Sequence, residues 1–432
     1  MVIKGNILYT QDHKTLHTIR NGCLVVHGGV IEKTCTWEEF CASDDSAETI
    51  HDYGNQLIIP GMVDLHLHAS QFAFCGLGMD RELLDWLAEY AFPEEMKYAD
   101  MNYAETAYQS FVDTLLHSPT TRACVFATIH KDSSLKLAEL MRDAGFAAYI
   151  GKVNMDRQSP EGLCEDTARS LADTRDFIET VLSWNCEIKP IITPRFVPSC
   201  TDQLMAGLGK LSKEYHLPVQ SHLAENPNEV ELVKKLNSKA KSYGDAYDMF
   251  GLFGSNGPAV MAHCVYPEAA ELELMKQNGV FVAHCANSNF SLASGIAPAR
   301  KYLEQGINMG LGTDIAGGFS ISMFRAIQDT ISVSKLYWRL RDDGAAPLSF
   351  TEAFYLATMG GGRFFGKVGS FLPGYAADIL VLDDSREQDA SEPDLRKRLE
   401  RLCYLADSDV VSAKYINGRL VMEKASPSKS CC

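Results

Sequence analysis

The amino-acid sequence predicts an α/β protein whose central element is a (β/α)8 barrel of the TIM type, and two observations indicate this fold class. Eight apolar runs of strand length recur along the chain, and helix-like amphipathic stretches separate them. Apolar strands that alternate with helices are typical of a parallel sheet covered on both faces, and eight such units close a barrel. In chain order the runs span residues 57–68, 123–130, 147–155, 188–196, 218–226, 258–266, 280–288 and 308–316.

Both ends of the chain show a different pattern. Short strands with glycine turns, such as ILYT and GCLVVHGG, occupy the first end, and a similar pattern returns in GYAADILVLDD and KYINGRLVMEK. Alternating apolar and polar residues between turns predict half-buried strands. We therefore expect a small β-sandwich domain built from residues 1–58 and 367–425, a barrel over residues 59–366, and a disordered tail over residues 426–432.

Composition excludes several classes of protein. A net charge of -16 and a pI of about 5.2 leave no basic surface for a nucleic acid polymer. The sequence has no apolar run of membrane-spanning length, and MVIKGNILYTQDHK lacks the apolar region of a secretory signal. We expect a cytoplasmic protein without a membrane partner. The 13 cysteines lack framework spacing, which favours reduced thiols over disulfides.

The first apolar run ends in VDLHLH, which places two histidines at the end of a predicted strand. Because side chains alternate along a strand, His66 and His68 point into the same space. Two converging imidazoles are typical of a metal site. From this spacing alone, two separate hydrogen-bonded histidines remain the alternative, since short motifs recur by chance.

Further polar residues follow the other runs. In a (β/α)8 barrel the carboxyl ends of the strands form one rim, which carries the active site. Three imidazoles and one carboxylate suit zinc or iron, so we predict a metal held by His66, His68, His222 and Asp314. The remaining rim residues are Arg195, Glu225, His263, His284 and, in the second run, His130. We expect the last two histidines to be buried or orienting side chains rather than ligands.

These residues also predict a reaction type. Zinc lowers the pKa of bound water to about 7, which suits hydrolysis at neutral pH. His263 is placed to hydrogen-bond the nucleophile, Asp314 to take its proton, and Glu225 to carry a proton to a ring nitrogen. The set therefore supplies a metal site, a base and a proton carrier for a hydrolytic reaction.

Motifs along the whole predicted barrel resemble the amidohydrolase superfamily in its mononuclear deaminase branch. They are PGMVDLHLH, SHLAEN, MAHC, AHCANSN and GLGTD. Between about residues 57 and 370, the stretches HLHASQF, LLDWL, FATIHKDSS, TPRF, QSHLAENPNEV and GLGTDIAGGFSISM are similar to the guanine-deaminating members of that branch. The resemblance implies zinc-dependent hydrolytic deamination of guanine to xanthine and ammonia, a step of purine metabolism.

The resemblance also implies roles for individual residues. It assigns one zinc ion per chain to the four ligands named above, with Asp314 as base and Glu225 as proton carrier. Guanine would be held by Gln71 and Arg195 with Phe196 alongside, and would also contact His68, His222 and Glu225. A homodimer is implied as well. AHCANSN lacks the proline that follows HC in many relatives, and MAHCVYP lacks their glycine after His263, but neither departure touches a ligand.

Three alternatives remain open. Arg195 and Gln71 suit any flat ring with an acceptor oxygen beside an N–H, so another aminopurine or aminopyrimidine is a possible substrate class. A cyclic-amide hydrolase with two bridged metals would need a lysine at the end of the fourth run, where the sequence has TPRF, and Lys189 lies at the start of that run. A non-catalytic scaffold is disfavoured because every candidate ligand is present.

Overall fold

The computed structural model describes residues 1–43, 49–342, 344–386, 394–405 and 408–424. The predicted tail over residues 426–432 lies outside this part of the chain. The strands are β1 (Val2–Thr10), β2 (Leu16–His27), β3 (Val30–Thr36), β4 (Ile50–Pro60), β5 (Met62–His68), β6 (Thr120–Phe126), β7 (Ala147–Gly151), β8 (Val153–Asn154), β9 (Ile188–Pro190), β10 (Thr193–Pro194), β11 (Val219–Leu223), β12 (Ala259–His263), β13 (Phe281–His284), β14 (Asn308–Leu311), β15 (Ile379–Leu382), β16 (Val411–Ile416) and β17 (Arg419–Glu423).

Helices separate most of the strands. They are α1 (Trp37–Cys41), α2 (Leu83–Trp86), α3 (Phe92–Met96), α4 (Met101–His117), α5 (Lys131–Asp143), α6 (Thr167–Ser183), α7 (Asp202–Tyr215), α8 (Pro227–Leu236), α9 (Tyr243–Asp248), α10 (Ala269–Asn278), α11 (Ala286–Ser291), α12 (Ala299–Glu304), α13 (Met323–Leu340), α14 (Phe350–Tyr355) and α15 (Leu395–Leu405). Short 3-10 turns span Ala69–Phe74, Lys97–Ala99, Val197–Ser199 and Ser408–Val410, and π-helical turns span Leu87–Ala91 and Leu356–Gly360.

Two four-stranded parallel sheets form the centre of the molecule. Their strand orders are β5-β6-β7-β9 and β11-β12-β13-β14. The strands are apolar and almost wholly buried, as expected where helices cover a parallel sheet. Side chains cap the covering helices: Asp100, Asp166 and Thr201 each accept a backbone N–H in the first turn of α4, α6 and α7. The predicted α/β class is confirmed.

Prolines explain two differences between the predicted and observed strands. The run 57–68 divides after Pro60, so that β4 belongs to a different sheet from β5. The run 188–196 contains Pro190 and Pro194, which cannot donate to a ladder, and only the short strands β9 and β10 form there. Arg195 therefore follows the last paired residue of its run.

The two ends of the chain meet in one seven-stranded sheet with the order β17-β16-β15-β4-β1-β2-β3. This differs from the predicted sandwich of two packed sheets. The reason is that β4 pairs with β1 on one edge and with β15 on the other, so strands from both ends lie side by side. Since β4 runs directly into β5, this sheet also anchors the strand that carries His66 and His68.

Within the described residues, no helix is both long enough and apolar enough to cross a membrane. The cysteines of the same part of the chain are free thiols, and most of them are buried.

Candidate functional site

Four side chains converge where the two parallel sheets meet, and we call them the metal group: His66, His68, His222 and Asp314. His66 Nε2 lies 3.1 Å from Asp314 Oδ1, and His68 Nε2 lies 3.5 Å from the same oxygen. The Nε2 atoms of His68 and His222 are 3.1 Å apart. All four residues are buried. The structure thus brings together the four ligands that the sequence predicts.

Backbone hydrogen bonds hold the metal group in register. Asp314 N donates to His66 O at 2.8 Å, and His68 N donates to Ile315 O at 2.9 Å. Asp314 has a φ of 49°, in the left-handed region that non-glycine residues seldom adopt. His263 shares this conformation, with a φ of 72°. Such backbone outliers cluster at functional sites, where the surrounding structure maintains them.

Hydrogen-bond partners behind the metal group hold the backbone of His66 and the ring of His222. Asp64 is fully buried and accepts hydrogen bonds from His66 N at 3.1 Å and Thr313 N at 3.0 Å, which ties β5 to the segment after β14. Burial raises the pKa of Asp64 to about 7. His222 Nδ1 lies 2.6 Å from Arg195 O, so Nδ1 carries the proton and Nε2 faces the other ligands.

The donor set fits a transition metal such as zinc. Among the described residues, His66 Nε2 has no hydrogen-bond partner, although Asp314 Oδ1 is close to it. In the described part of the chain, ligand atoms within 4.8 Å of one another occur in two groups, one of His66, His68 and Asp314 and one of His66, His222 and His263. Two ligands that each lie about 2.1 Å from a tetrahedral ion are about 3.4 Å apart. The observed separations agree with a shared cation.

A titratable pair lies beside the metal group. His263 Nε2 is 3.4 Å from Glu225 Oε2 and 3.8 Å from Asp314 Oδ2, while His263 Nδ1 is 2.9 Å from Asn289 Oδ1. Since an amide oxygen only accepts, Nδ1 carries a proton. Burial opposes protonation of His263, but the two carboxylates outweigh it and raise its pKa.

Burial raises the pKa of Glu225 to about 7. Local sequence fixes this carboxylate in place: Asn226 caps helix α8, and Glu229 Oε2 accepts from Glu225 N at 2.9 Å and Asn226 N at 3.2 Å. Ser294 Oγ donates to Glu225 Oε1 at 3.0 Å. Burial also works to raise the pKa of Asp314, yet His66, His263 and His68 together hold that pKa well below its usual range. The two carboxylates therefore differ in proton affinity, as an acid and base pair requires.

These groups open into a pocket whose empty space, including the part open to solvent, is about 440 Å³. Its apolar wall comes from α2, the following π-helical turn and a loop: Leu83, Trp86, Leu87 and Leu292. Its polar wall includes Gln71, Arg195, Glu225, Glu229 and His263, together with His68, His222 and Asp314, and Phe196 and Gly317 complete the lining. A flat apolar wall opposite a few polar groups suits a small heterocycle.

Two predicted substrate contacts meet at a carboxylate that the sequence patterns did not single out. Gln71 Nε2 donates to Glu95 Oε1 at 2.9 Å, and Arg195 Nη1 donates to Glu95 Oε2 at 2.6 Å. We call Gln71, Glu95 and Arg195 the recognition group. Phe196 is half-buried and lines the same pocket.

Two further histidines lie elsewhere. His130 directly precedes α5 without a capping side-chain hydrogen bond, and it lines a separate cleft with Tyr98 and Glu165; in the described chain no hydrogen bond joins it to the metal group. His284 is buried in β13, and burial lowers its pKa to about 4. It is absent from both groups of ligand atoms found in the described residues.

Sequence reasoning missed Asp64, Glu95 and Ser294. Asp64 alternates with His66 in VDLHLH and shares its face, so the strand period offered a signal for it. Glu95 and Ser294 lie outside the strand-end motifs and reach the site only through the fold. No pattern in the sequence marks either of them.

Comparisons with known proteins agree with this geometry. The Amidohydrolase family model matches residues 57–421. The chain is 40% identical over 382 residues to the guanine deaminase of Dictyostelium discoideum, and the alignment covers 87% of this chain and 84% of the Dictyostelium enzyme. It is 38% identical over 386 residues to the guanine deaminase of Homo sapiens, covering 85% of this chain and 83% of that protein.

Solved structures of similar proteins share the fold of this chain. A guanine deaminase from C. acetobutylicum with bound guanine in the active site superposes with a TM-score of 0.93 and 45% identity, covering 98% of this chain and 99% of that one. An adenosine deaminase from Xanthomonas campestris with bound zinc reaches a TM-score of 0.81 at 22% identity, covering 97% and 92%, and supports the fold alone.

Proposed function

The chain belongs to the amidohydrolase family, and from that premise we propose that it hydrolyses guanine to xanthine and ammonia. Two relatives at 40% and 38% identity, which cover 87% and 85% of its length, are guanine deaminases. One observation carries the proposal: His68, His222 and Asp314 of the metal group line a single pocket together with Glu225 and with Gln71 and Arg195 of the recognition group. The family resemblance read from the motifs is confirmed by the family model.

The metal group would hold one zinc ion per chain through His66, His68, His222 and Asp314. Imidazole nitrogens with one carboxylate are the donors that catalytic zinc prefers. When bound, the ion acts as a Lewis acid that makes water a nucleophile at neutral pH. The carbonyl of Arg195 orients the His222 ring, and Asp64 holds the backbone of His66.

The chain's own residues move the protons. Asp314 accepts a proton from the attacking water, while His263 donates a hydrogen bond from Nε2 to the same water. Glu225 transfers a proton to ring nitrogen N3 of guanine, beside the carbon that loses its amine. A pKa of about 7 keeps both the acid and the base form of Glu225 populated at neutral pH. The proton held by Asp314 then passes to the amine, which departs as ammonia, and the new C2 hydroxyl returns a proton to Glu225 as it becomes the second carbonyl of xanthine.

The recognition group orients the base. A guanidinium offers a planar fork of donors, so Arg195 donates to O6 of guanine, and Gln71 contacts the adjacent edge. Phe196 and the apolar wall with Trp86 and Leu292 flank the ring. Adenine has an amine where guanine has O6, so donors would face donors, and a site of this kind rejects such analogues by about 10⁴ to 10⁵.

We extend the proposal to the architecture. The two four-stranded sheets approach each other at both edges: Gln220 N donates to Ile192 O at 2.9 Å, and Asp314 N to His66 O at 2.8 Å. These contacts support a closed (β/α)8 barrel over residues 59–366 with the small β domain beside it. A homodimer belongs to the same proposal, as the family resemblance implies.

A two-metal cyclic-amide hydrolase would need a lysine among the ligands. Lys189 is exposed, and Lys152 donates to Glu165 Oε1 at 2.6 Å. Neither of these lysines contacts the metal group. Metal analysis separates the two readings, because the rival requires two ions per chain.

The test is a substrate panel. We expect the purified protein to release ammonia from guanine, and to act on adenine and cytosine at least about 10³-fold more slowly. A cyclic imide such as hydantoin serves the rival reading, with ring opening as its signal. Preference for adenine, or ring opening of hydantoin in place of ammonia release from guanine, would contradict the proposal.

A further inference from the structure

Glu95 is a buried carboxylate that contacts two pocket residues at once. Its relative exposure is 1%, with 2% for Gln71 and 4% for Arg195. It accepts from Gln71 Nε2 through Oε1 and from Arg195 Nη1 through Oε2. We propose that Glu95 is a positioning residue that fixes the pattern of donors and acceptors offered to the substrate. This inference rests on the proposed function.

The contact determines which atom Gln71 presents. A carboxylate only accepts hydrogen bonds, so Gln71 must turn its NH2 group towards Glu95. The amide oxygen is then directed away from Glu95, and among the described residues no hydrogen bond engages it. Because Gln71 lines the pocket, it offers an acceptor there.

Arg195 presents the opposite character. Its Nη1 is taken by Glu95, while Nε and Nη2 donate to no residue in the described part of the chain. The guanidinium also lies 5.1 Å from the centre of the Phe92 ring. Phe92 and Glu95 are three residues apart on α3 and share one face, so a single helical turn holds Arg195 by stacking and by charge.

The π-helical turn Leu87–Ala91 directly precedes α3. Such a turn inserts an extra residue and redirects the helix, and π turns are frequent at functional sites. The helical segment that forms the apolar wall with Trp86 therefore also delivers Glu95 to the recognition group.

An acceptor beside a donor matches a ring N–H beside a ring carbonyl. Guanine has this edge at N1–H and O6. The analogue 2-aminopurine carries the same amine at C2, but it lacks O6 and its N1 has a lone pair. With Gln71 held by Glu95, that lone pair faces the amide oxygen, and the donors of Arg195 lose their partner. Unpaired polar groups of this kind are the basis of strong discrimination.

Glu95→Gln reverses the pattern. Its amide oxygen accepts from Arg195, so its NH2 group faces Gln71. Gln71 must then turn its oxygen towards residue 95 and its NH2 group into the pocket. The pocket edge becomes two donors, which suits N1 of 2-aminopurine and repels N1–H of guanine.

The experiment measures kcat/KM on guanine and on 2-aminopurine for the wild type, Glu95→Gln and Glu94→Gln, with zinc content as a second readout. We expect Glu95→Gln to lose about 100-fold or more on guanine, to keep or raise its value on 2-aminopurine, and to keep its metal. Glu94 is the matched control. It is the adjacent buried residue of α3, and its partners are Lys97 and Tyr103. The kcat/KM values of Glu94→Gln on guanine and on 2-aminopurine should both stay within about threefold of wild type.

Equal losses on both substrates, or an unchanged guanine value, would overturn the inference. Glu95→Asp provides a second test if Glu95→Gln does not fold. A carboxylate shorter by one methylene cannot reach both partners, so KM for guanine should rise by about fivefold or more while kcat stays within about twofold; an unchanged KM overturns the inference. A wild type inactive on guanine contradicts the proposed function itself, whereas an active wild type with an unaffected Glu95→Gln contradicts this inference alone.

Discussion

The metal group and the recognition group contribute side chains to the same pocket but are built in different ways. The metal group lies on or directly after β5, β11 and β14, where backbone hydrogen bonds fix each residue. The recognition group depends on one carboxylate, Glu95, which α3 brings to Arg195 from 100 positions away. A site can thus place its ligands through strand geometry and its substrate contacts through a single tertiary ion pair. The two groups should fail independently.

The largest expected effect comes from His68→Ala, which removes a ligand. Metal content and activity should fall together, and activity should drop by about 10⁴-fold or more, because the Lewis acid supplies several kcal/mol to the reaction. The measurement combines elemental analysis after dialysis with the rate of ammonia release from guanine.

His130→Ala is the matched control for that variant, since His130 also follows a strand but lines another cleft. Its metal content should equal that of the wild type. Full zinc retention by His68→Ala would mean that the metal group does not bind the ion.

Glu225→Gln should separate chemistry from metal binding. Glutamine has the same shape as Glu225 but cannot carry the proton, so kcat should fall by about 10² to 10⁴ while the zinc content stays unchanged. Single-turnover kinetics on guanine are the appropriate measurement. Turnover like that of the wild type would remove Glu225 from the mechanism.

Arg195→Lys tests the independence of the recognition group. Lysine keeps the charge, but a single ammonium cannot bond to Glu95 and the base oxygen as a planar fork does. Loss of one charged hydrogen bond costs about 1.5 to 3 kcal/mol, so kcat/KM on guanine should fall by about 10- to 150-fold with the metal retained. A change within about threefold would leave Arg195 with only its ion pair to Glu95.

Ser294→Ala should have the smallest effect. Ser294 donates to Glu225 Oε1 and so stabilises the charged carboxylate, which lowers the pKa of Glu225. Without the hydroxyl the proton stays bound to a higher pH, so the limb of the pH-rate profile that reports Glu225 should move upwards. The loss of one hydrogen bond costs about 1 kcal/mol, or about fivefold in rate. A shift of that limb to lower pH would contradict this assignment.

The same contrast explains what could be predicted from the sequence. His66 and His68 of the metal group could be predicted because a strand has a period of two, so the pattern VDLHLH places their side chains on one face. The capping box of α8 is equally local, and it anchors Glu225 through Asn226 and Glu229. The end of the strand in the run 188–196 was harder to predict, because Pro190 and Pro194 interrupt the hydrogen-bond ladder inside an apolar run.

The parts that escaped prediction depend on tertiary contacts. Glu95 follows a π-helical turn, and nothing in its neighbourhood of the sequence marks it as different from Glu94. Ser294 reaches Glu225 across 69 positions of the chain. The single seven-stranded sheet likewise depends on β4 pairing with β15 from the other end, which strand patterns do not encode.

The central claim is that one bound metal and the recognition group act on one purine in the same pocket. Its most direct test measures xanthine and ammonia from guanine before zinc removal with a chelator, after removal, and after stepwise return of zinc. We expect equal amounts of xanthine and ammonia, loss of activity in the metal-free protein, and full recovery at about one zinc ion per chain. Ammonia release that survives metal removal, or recovery that requires two ions per chain, would contradict it.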